Sequence, residues 1–230
     1  MRATAPRTQH GFTLVELLVA LGVMALIAML GWRALDGMAR TQEVVQRHTD
    51  AALALQAGLG QWGADLDAMA SVPHTVPIDW DGRALRITRR SSAVPDTGLV
   101  VAAWTRRGVG GSGEWLRWQS PPLTTRGAWQ QAWQQAAAWA QNPGDAERGA
   151  EVPVLPLDDW QVFYFRGNAW TNPQSSAGTD AGADASAAPN ASATAPEGVR
   201  LVLVLPPGQA ATGRIVRDWA QQGSNPNKPS

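Results

Sequence analysis

Arg7-Thr8-Gln9-His10-Gly11-Phe12-Thr13-Leu14-Val15-Glu16-Leu17-Leu18 decides how the rest of this 230-residue chain is read. Hydrophobic sequence continues from Phe12 to Trp32, and Glu16 is the only charged residue in that run. As a helix rising about 1.5 Å per residue, the run is about 31 Å long, the thickness of a bilayer's hydrocarbon core. A carboxylate near the start of such a helix costs about 2–3 kcal/mol unless something neutralises it. A span that keeps Glu16 therefore calls for a partner for the charge. A secretory signal peptide has a shorter apolar core followed by a small-x-small cleavage site. Gly31-Trp32-Arg33-Ala34-Leu35 offers no such site, and a plain anchor has no use for Glu16.

Downstream of Trp32 the apolar pattern turns periodic. Met38, Val45, Ala52, Leu59 and Leu66 recur every seven residues, and Leu55, Trp62 and Met69 form a second row. Together they make one apolar stripe of a helix from Phe12 to about Met69, with the second half packing on a sheet. Polar residues such as Gln42, Glu43, Arg47, Asp50, Gln61 and Asp65 fill the other faces. Gly58, Gly60 and Gly63 each cost up to about 1 kcal/mol of helix propensity. They either allow close packing or mark fraying. Pro73 and Pro77 end the helix.

From Ile78 the texture is that of strands. Ala84–Arg89 alternates, Gly98–Trp104 reads as a more buried strand, and Glu114–Gln119 returns after the glycine-rich Gly108–Gly113. These three predict an antiparallel meander, broken by Pro121-Pro122. A short helix is expected from Ala128 to Gln141, with Trp129, Trp133, Ala136 and Ala140 on one face, stopped by Asn142-Pro143-Gly144-Asp145. Val152–Leu157 leads into a strand at Trp160–Arg166, and Gly167-Asn168 turns it back to Ala169-Trp170. Residues 172–197 are rich in small polar side chains and predict a flexible loop. Val199–Leu205 is the strongest strand, and Gly213–Trp219 pairs back on it. The fold class is α+β, a long N-terminal transmembrane and amphipathic helix packed on antiparallel β-sheet. The boundaries read as 1–11, 12–32, 33–70, 71–222 and a polar tail 223–230.

Composition excludes several functions. Nineteen basic residues balance nineteen acidic ones, and loss of residues 1–11 with Arg2 and Arg7 leaves 17 against 19, a formal charge of −2. No basic stripe invites nucleic acid. There are no cysteines, hence no thiol chemistry and no cysteine metal site. Twelve tryptophans against one tyrosine point to core use, or alternatively to a carbohydrate platform involving Trp115 and Trp118. Only three histidines occur: His10 before the span, His48 on the helix surface and His74 in a loop. Asp79/Asp81 and Asp158/Asp159 cap turns rather than form a catalytic pair. Gly110-Gly111-Ser112-Gly113 lacks the lysine of a phosphate loop. Asp180 and Asp184 lack a defined calcium spacing, and Asn190-Ala191-Ser192 fits a glycosylation triplet by chance. No catalytic residue, metal or cofactor is expected.

The N-terminal stretch resembles the prepilin segment of type IV pilins and type II secretion pseudopilins. The resemblance implies cleavage between Gly11 and Phe12 by a membrane peptidase, N-methylation of Phe12, and pairing of Glu16 with the terminal amine of a neighbouring subunit during filament assembly. A carboxylate and an ammonium attract far more strongly in low dielectric than in water. A looser, more specific similarity is to the minor pseudopilin J family. It is carried by Trp32-Arg33-Ala34-Leu35-Asp36, Trp62 to Leu66-Asp67, Phe163–Trp170 and Pro196-Glu197-Gly198-Val199-Arg200-Leu201. It implies a non-enzymatic subunit at the tip of the secretion pseudopilus, supporting export of folded proteins. The implied partners are the I- and K-type minor pseudopilins, the major pseudopilin, the prepilin peptidase and the inner membrane. Arg2 and Arg7 place the N-terminus in the cytoplasm by the positive-inside rule, and the later domain in the periplasm of a bacterium. The neighbouring readings are a minor pilin of a type IV pilus and, from a different class, an anchored glycan-binding or hydrolytic domain.

Overall fold

The computed structural model describes residues 13–92, 98–109, 112–176, 195–208 and 211–221. Gly11, Phe12, the Gly110-Gly111 turn, Asp180, Asp184, the Asn190 triplet and the tail 223–230 lie outside the described residues. Two compact units divide the chain, Met1–His48 and Thr49–Ser230.

The first unit holds most of α1 (Leu14–Asp67), a helix of 54 residues. Thr13 caps it, its hydroxyl accepting the amide N–H of Glu16 at 3.3 Å. The large side chains from Leu14 to Met38 are exposed throughout. Met38 and Val45, at the head of the seven-residue row, are exposed as well, and so is Ala52. The stripe is a packing face only from Leu55 onward.

The second unit is α+β, with the end of the long N-terminal helix packed on antiparallel sheets as in a pilin-like fold. Its strands are β1 (Ile78–Trp80), β2 (Ala84–Arg90), β3 (Leu99–Val109), β4 (Ser112–Gln119), β5 (Glu151–Pro156), β6 (Asp159–Arg166), β7 (Ala169–Thr171), β8 (Gly198–Leu205) and β9 (Gly213–Ala220). The helices are α2 (Arg126–Gln141), α3 (Asp145–Gly149) and α4 (Pro173–Ser176). One sheet runs β1-β2-β3-β4-β5 and a second runs β7-β6-β8-β9, every pairing antiparallel. The expected antiparallel β-sheet is present, divided into these two sheets. The meander is present, and so is the Gly167-Asn168 hairpin turn, where both residues take positive φ (55° and 69°). That geometry suits a two-residue turn joining twisted strands.

Strand alternation sorts the five-stranded sheet's side chains onto two cores. On one face Leu85, Ile87, Trp104 and Trp115 meet Trp62 and Leu66 of α1, together with Trp160, Val162, Leu201 and Leu203 of the second sheet. Trp80 and Trp160 pack edge to face across the two sheets, centroids 4.7 Å apart. On the other face Ala84, Val101, Leu116 and Trp118 are covered by α2. Thr125 caps α2 through the amide of Ala128. The buried face of α2 is Trp129, Ala132, Ala136, Trp139 and Ala140. It is rotated from the expected one: Trp139 replaces Trp133, which sits half-buried under the Arg86 guanidinium. The indole of Trp139 donates to Glu151 at 2.8 Å, which fixes that rotation.

Two further expectations are corrected. Val152–Leu157 is not a mere lead-in; it forms β5, paired to β4 with a register shift at Trp115/Leu116. Pro153 and Pro156 hide the strand in sequence, and they are tolerated because β5 is an edge. Residues 173–176 at the head of the expected flexible loop form α4, where the Gln174 amide donates to the Asp81 carbonyl at 2.9 Å. Of the three helical glycines in question, Gly58 is the packing site. A Cβ there would stand 2.5 Å from Val154 Cγ1 and 3.1 Å from Trp115 Cζ3. Gly60 and Gly63 meet nothing within 4 Å.

Candidate functional site

The sequence places its chemistry at the start of α1. Thr13 is the N-cap and Glu16 the third helical residue, the spacing of a capping box. Glu16 is the sole acid of the first turn and is exposed. The positive end of the helix dipole lowers the cost of a carboxylate there. The signal was legible as Thr-x-x-Glu before an apolar run, yet the sequence reading passed over the cap. The helix contains an 18-residue window of mean hydropathy 2.5, none of it buried, and is long and apolar enough to cross a membrane. Gly11 and Phe12 precede the described residues, so only Glu16 of the three expected processing and assembly residues has a described geometry.

At the other end of α1 lies a cluster that the sequence reading missed. Asp65, read as part of the polar face, is fully buried. Its carboxylate accepts from Arg117 Nε and Nη2, both at 2.9 Å, from Trp104 Nε1 at 2.9 Å and from Gln61 Nε2 at 2.9 Å. Arg89 Nη1 forms a further ion pair. Three strands, β2, β3 and β4, and one helix thus converge on one carboxylate. Two guanidinium groups against one acid satisfy its lone pairs, which is the condition for burying a charge. Beside it the Trp219 indole donates to Asp67 at 2.8 Å, tying β9 to the last residue of α1.

Among the other candidates for chemistry, Asp79 and Asp81 have structural work to do. Asp81 accepts from the amides of Arg83 (2.9 Å) and Ala84 (2.7 Å), capping the β1–β2 turn, while Asp79 pairs with Arg86. Asp158 and Asp159 are exposed, and so are His48 and His74. Trp115 and Trp118 are buried, which removes the carbohydrate platform proposed for them. Of the twelve tryptophans, only Trp32 is largely exposed. Among the described residues no group of three or more His, Cys, Asp or Glu could hold a metal ion.

Residues 6–32 match the family described as the prokaryotic N-terminal methylation motif. No curated protein and no solved structure matches the chain. The motif supports a structural protein of pilin or pseudopilin type, and together with the apolar helix it supports membrane anchoring of the domain that follows.

Proposed function

We propose that this chain is a minor pseudopilin of J type, a structural subunit at the tip of the type II secretion pseudopilus. Residues 1–11 are the leader, 12–32 the inner-membrane span with the N-terminus cytoplasmic, 33–70 the periplasmic part of the helix and 71–222 the periplasmic sheet domain. The prepilin peptidase cuts between Gly11 and Phe12 and methylates Phe12. Glu16 then neutralises the new terminal amine of an adjoining subunit. The observation that carries the reading is the methylation motif running straight into a helix with one acid in its first turn and two antiparallel sheets at its far end. I- and K-type minor pseudopilins are the expected companions, with the major pseudopilin below them.

Intact-mass spectrometry of the membrane-bound product, made together with a prepilin peptidase, tests the processing step. The wild-type chain is expected to begin at a methylated Phe12, and Gly11→Ala is expected to retain residues 1–11. Glu16→Ala is expected to be trimmed normally yet fail to co-purify with I- and K-type partners. A wild-type chain that keeps its first eleven residues, or a Glu16→Ala chain that assembles as well as wild type, defeats the proposal.

A further inference from the structure

The two sheets have four edges, and three are blunted. β1 and β7 are three residues each, and β5 carries Pro153 and Pro156. Short edges and prolines are standard protection against strand addition. β9 is different: it has eight residues and no proline, and among the described residues nothing pairs with its outer side.

The free backbone groups on that side can be assigned. The amide of Gln221 donates to the Glu197 carbonyl at 2.9 Å, in register with Gly198↔Ala220. Antiparallel pairs alternate between hydrogen-bonded and non-bonded. Residues 213, 215, 217, 219 and 221 therefore point their N–H and C=O groups at β8. Arg214, Val216, Asp218 and Ala220 point theirs outward. Only a partner strand whose own outward groups meet these four can bond.

β9 itself satisfies that condition against a second copy. Two antiparallel registers overlap it over seven strand residues with outward groups meeting outward groups. One has its axis at Val216: Val216 faces Val216, and Arg214 faces Asp218 twice. The other has its axis at Arg217: Arg217 faces Arg217, and Val216 faces Asp218. Opposite charges placed directly across a strand pair favour pairing, and like charges oppose it. The first register is selected. Val216 is 48 % exposed, an apolar side chain in the middle of an open edge. Arg200 donates one bond to each Asp218 oxygen at 2.7 Å, leaving lone pairs on both for another guanidinium.

We propose that β9 is a self-pairing edge, to which a second copy of this chain adds antiparallel about a twofold axis at Val216, with Arg214 of each copy against Asp218 of the other. The charges that repel a strand in the wrong register hold this one in place. The inference goes beyond the proposed function and does not depend on it.

The chain has no cysteine, so single introduced thiols report the contact in full-length protein in membranes. Directly paired residues in this arrangement have Cα atoms about 5.5 Å apart, within disulfide reach. Under mild oxidation Val216→Cys is expected to give a band at twice the chain mass. Arg214→Cys is expected to give none, because its own copy lies four residues away along the strand, about 14 Å. A pair that leaves Val216 intact gives a second reading. Thr212→Cys and Ala220→Cys chains should cross-link when co-expressed, and neither should cross-link alone. Adding Arg214→Glu to Val216→Cys should abolish the dimer band. The proposal is overturned if neither thiol design cross-links, if Arg214→Cys cross-links as readily as Val216→Cys, or if Arg214→Glu leaves the band unchanged. A Val216→Cys product of another mass without the homodimer would put a different protein on this edge and overturn it too.

Discussion

Replacing Asp65 should cost this protein more stability than any other single loss of charge. The carboxylate is fully buried and serves Arg89, Arg117, Trp104 and Gln61 at once. In Asp65→Ala the Trp104 indole N–H, on a ring with no exposed surface, is left without its acceptor, a loss of about 1–3 kcal/mol. The Arg89 and Arg117 side chains are only 11 % and 14 % exposed and lose their counter-charge together. Removing one partner from a buried ionic group costs about 3–5 kcal/mol. In a unit of this size each kcal/mol lowers the melting temperature by about 2–4 °C, so a drop of about 6–20 °C is expected. Tryptophan fluorescence of the detergent-solubilised full-length chain follows the transition, since most of its tryptophans belong to this unit. Asp65→Asn separates charge from volume: it keeps the shape but puts an amide N–H₂ where guanidinium groups donate. It should lose most of the same stability. A drop below about 4 °C for Asp65→Asn, equivalent to about 1 kcal/mol, would show that the cluster is not held by the carboxylate charge.

Two further expectations follow from packing and from the single tyrosine. Gly58→Ala drives a Cβ into Val154 and Trp115 and should cost about 1–3 kcal/mol despite its better helix propensity, while Gly63→Ala, with open space around it, should gain up to about 1 kcal/mol. Chemical denaturation midpoints of the two variants should move in opposite directions. The Tyr164 hydroxyl is buried without a protein partner among the described residues, and burial, aided by the nearby Asp79 charge, pushes its pKa far above the ordinary value. The unfolded chain ionises near pH 10, so the folded state holds the proton longer and stability falls as pH rises beyond about 10. Because Tyr164 is the only tyrosine, the tyrosinate absorbance should appear together with loss of tryptophan-reported structure; ionisation in a chain still folded would contradict its burial.

Much of the fold could be read in the sequence because strand and helix periods differ. Ala84–Arg89 alternates cleanly, Gly167-Asn168 supplies two residues that accept positive φ, and Val199–Leu205 is apolar enough for a strand with a core on one side and neighbours on both edges. β5 escaped because its prolines speak against a strand unless its edge position is known, and edge position is a property of topology. The rotation of α2 escaped for a similar reason. Trp133 and Trp139 are equally apolar, and what separates them lies on other elements: Glu151 and Trp118 against Trp139, Arg86 over Trp133.

The missed acid at Asp65 shows where a clue lay unused. Side chains alternate along a strand, so Arg89 shares the face of Leu85 and Ile87, and Arg117 shares the face of Trp115. Both parities point into the core that receives α1. Two arginines aimed at one apolar core require a buried acid between them, because isolated buried charges are too costly to persist. On the helix, Asp65 stands three residues after Trp62 and four before Met69, within the apolar stripe itself and not opposite it. The strands thus announced two buried cations and the helix offered one acid at the right phase. Glu16 obeys the same logic at the other end of α1: an acid on an apolar surface implies a cation, and within this chain no described side chain supplies one. For Asp65 the cations come from the chain's own strands. For Glu16 the proposed cation is the terminal amine of another subunit, so Asp65 is tested by stability and the proposal for Glu16 by assembly.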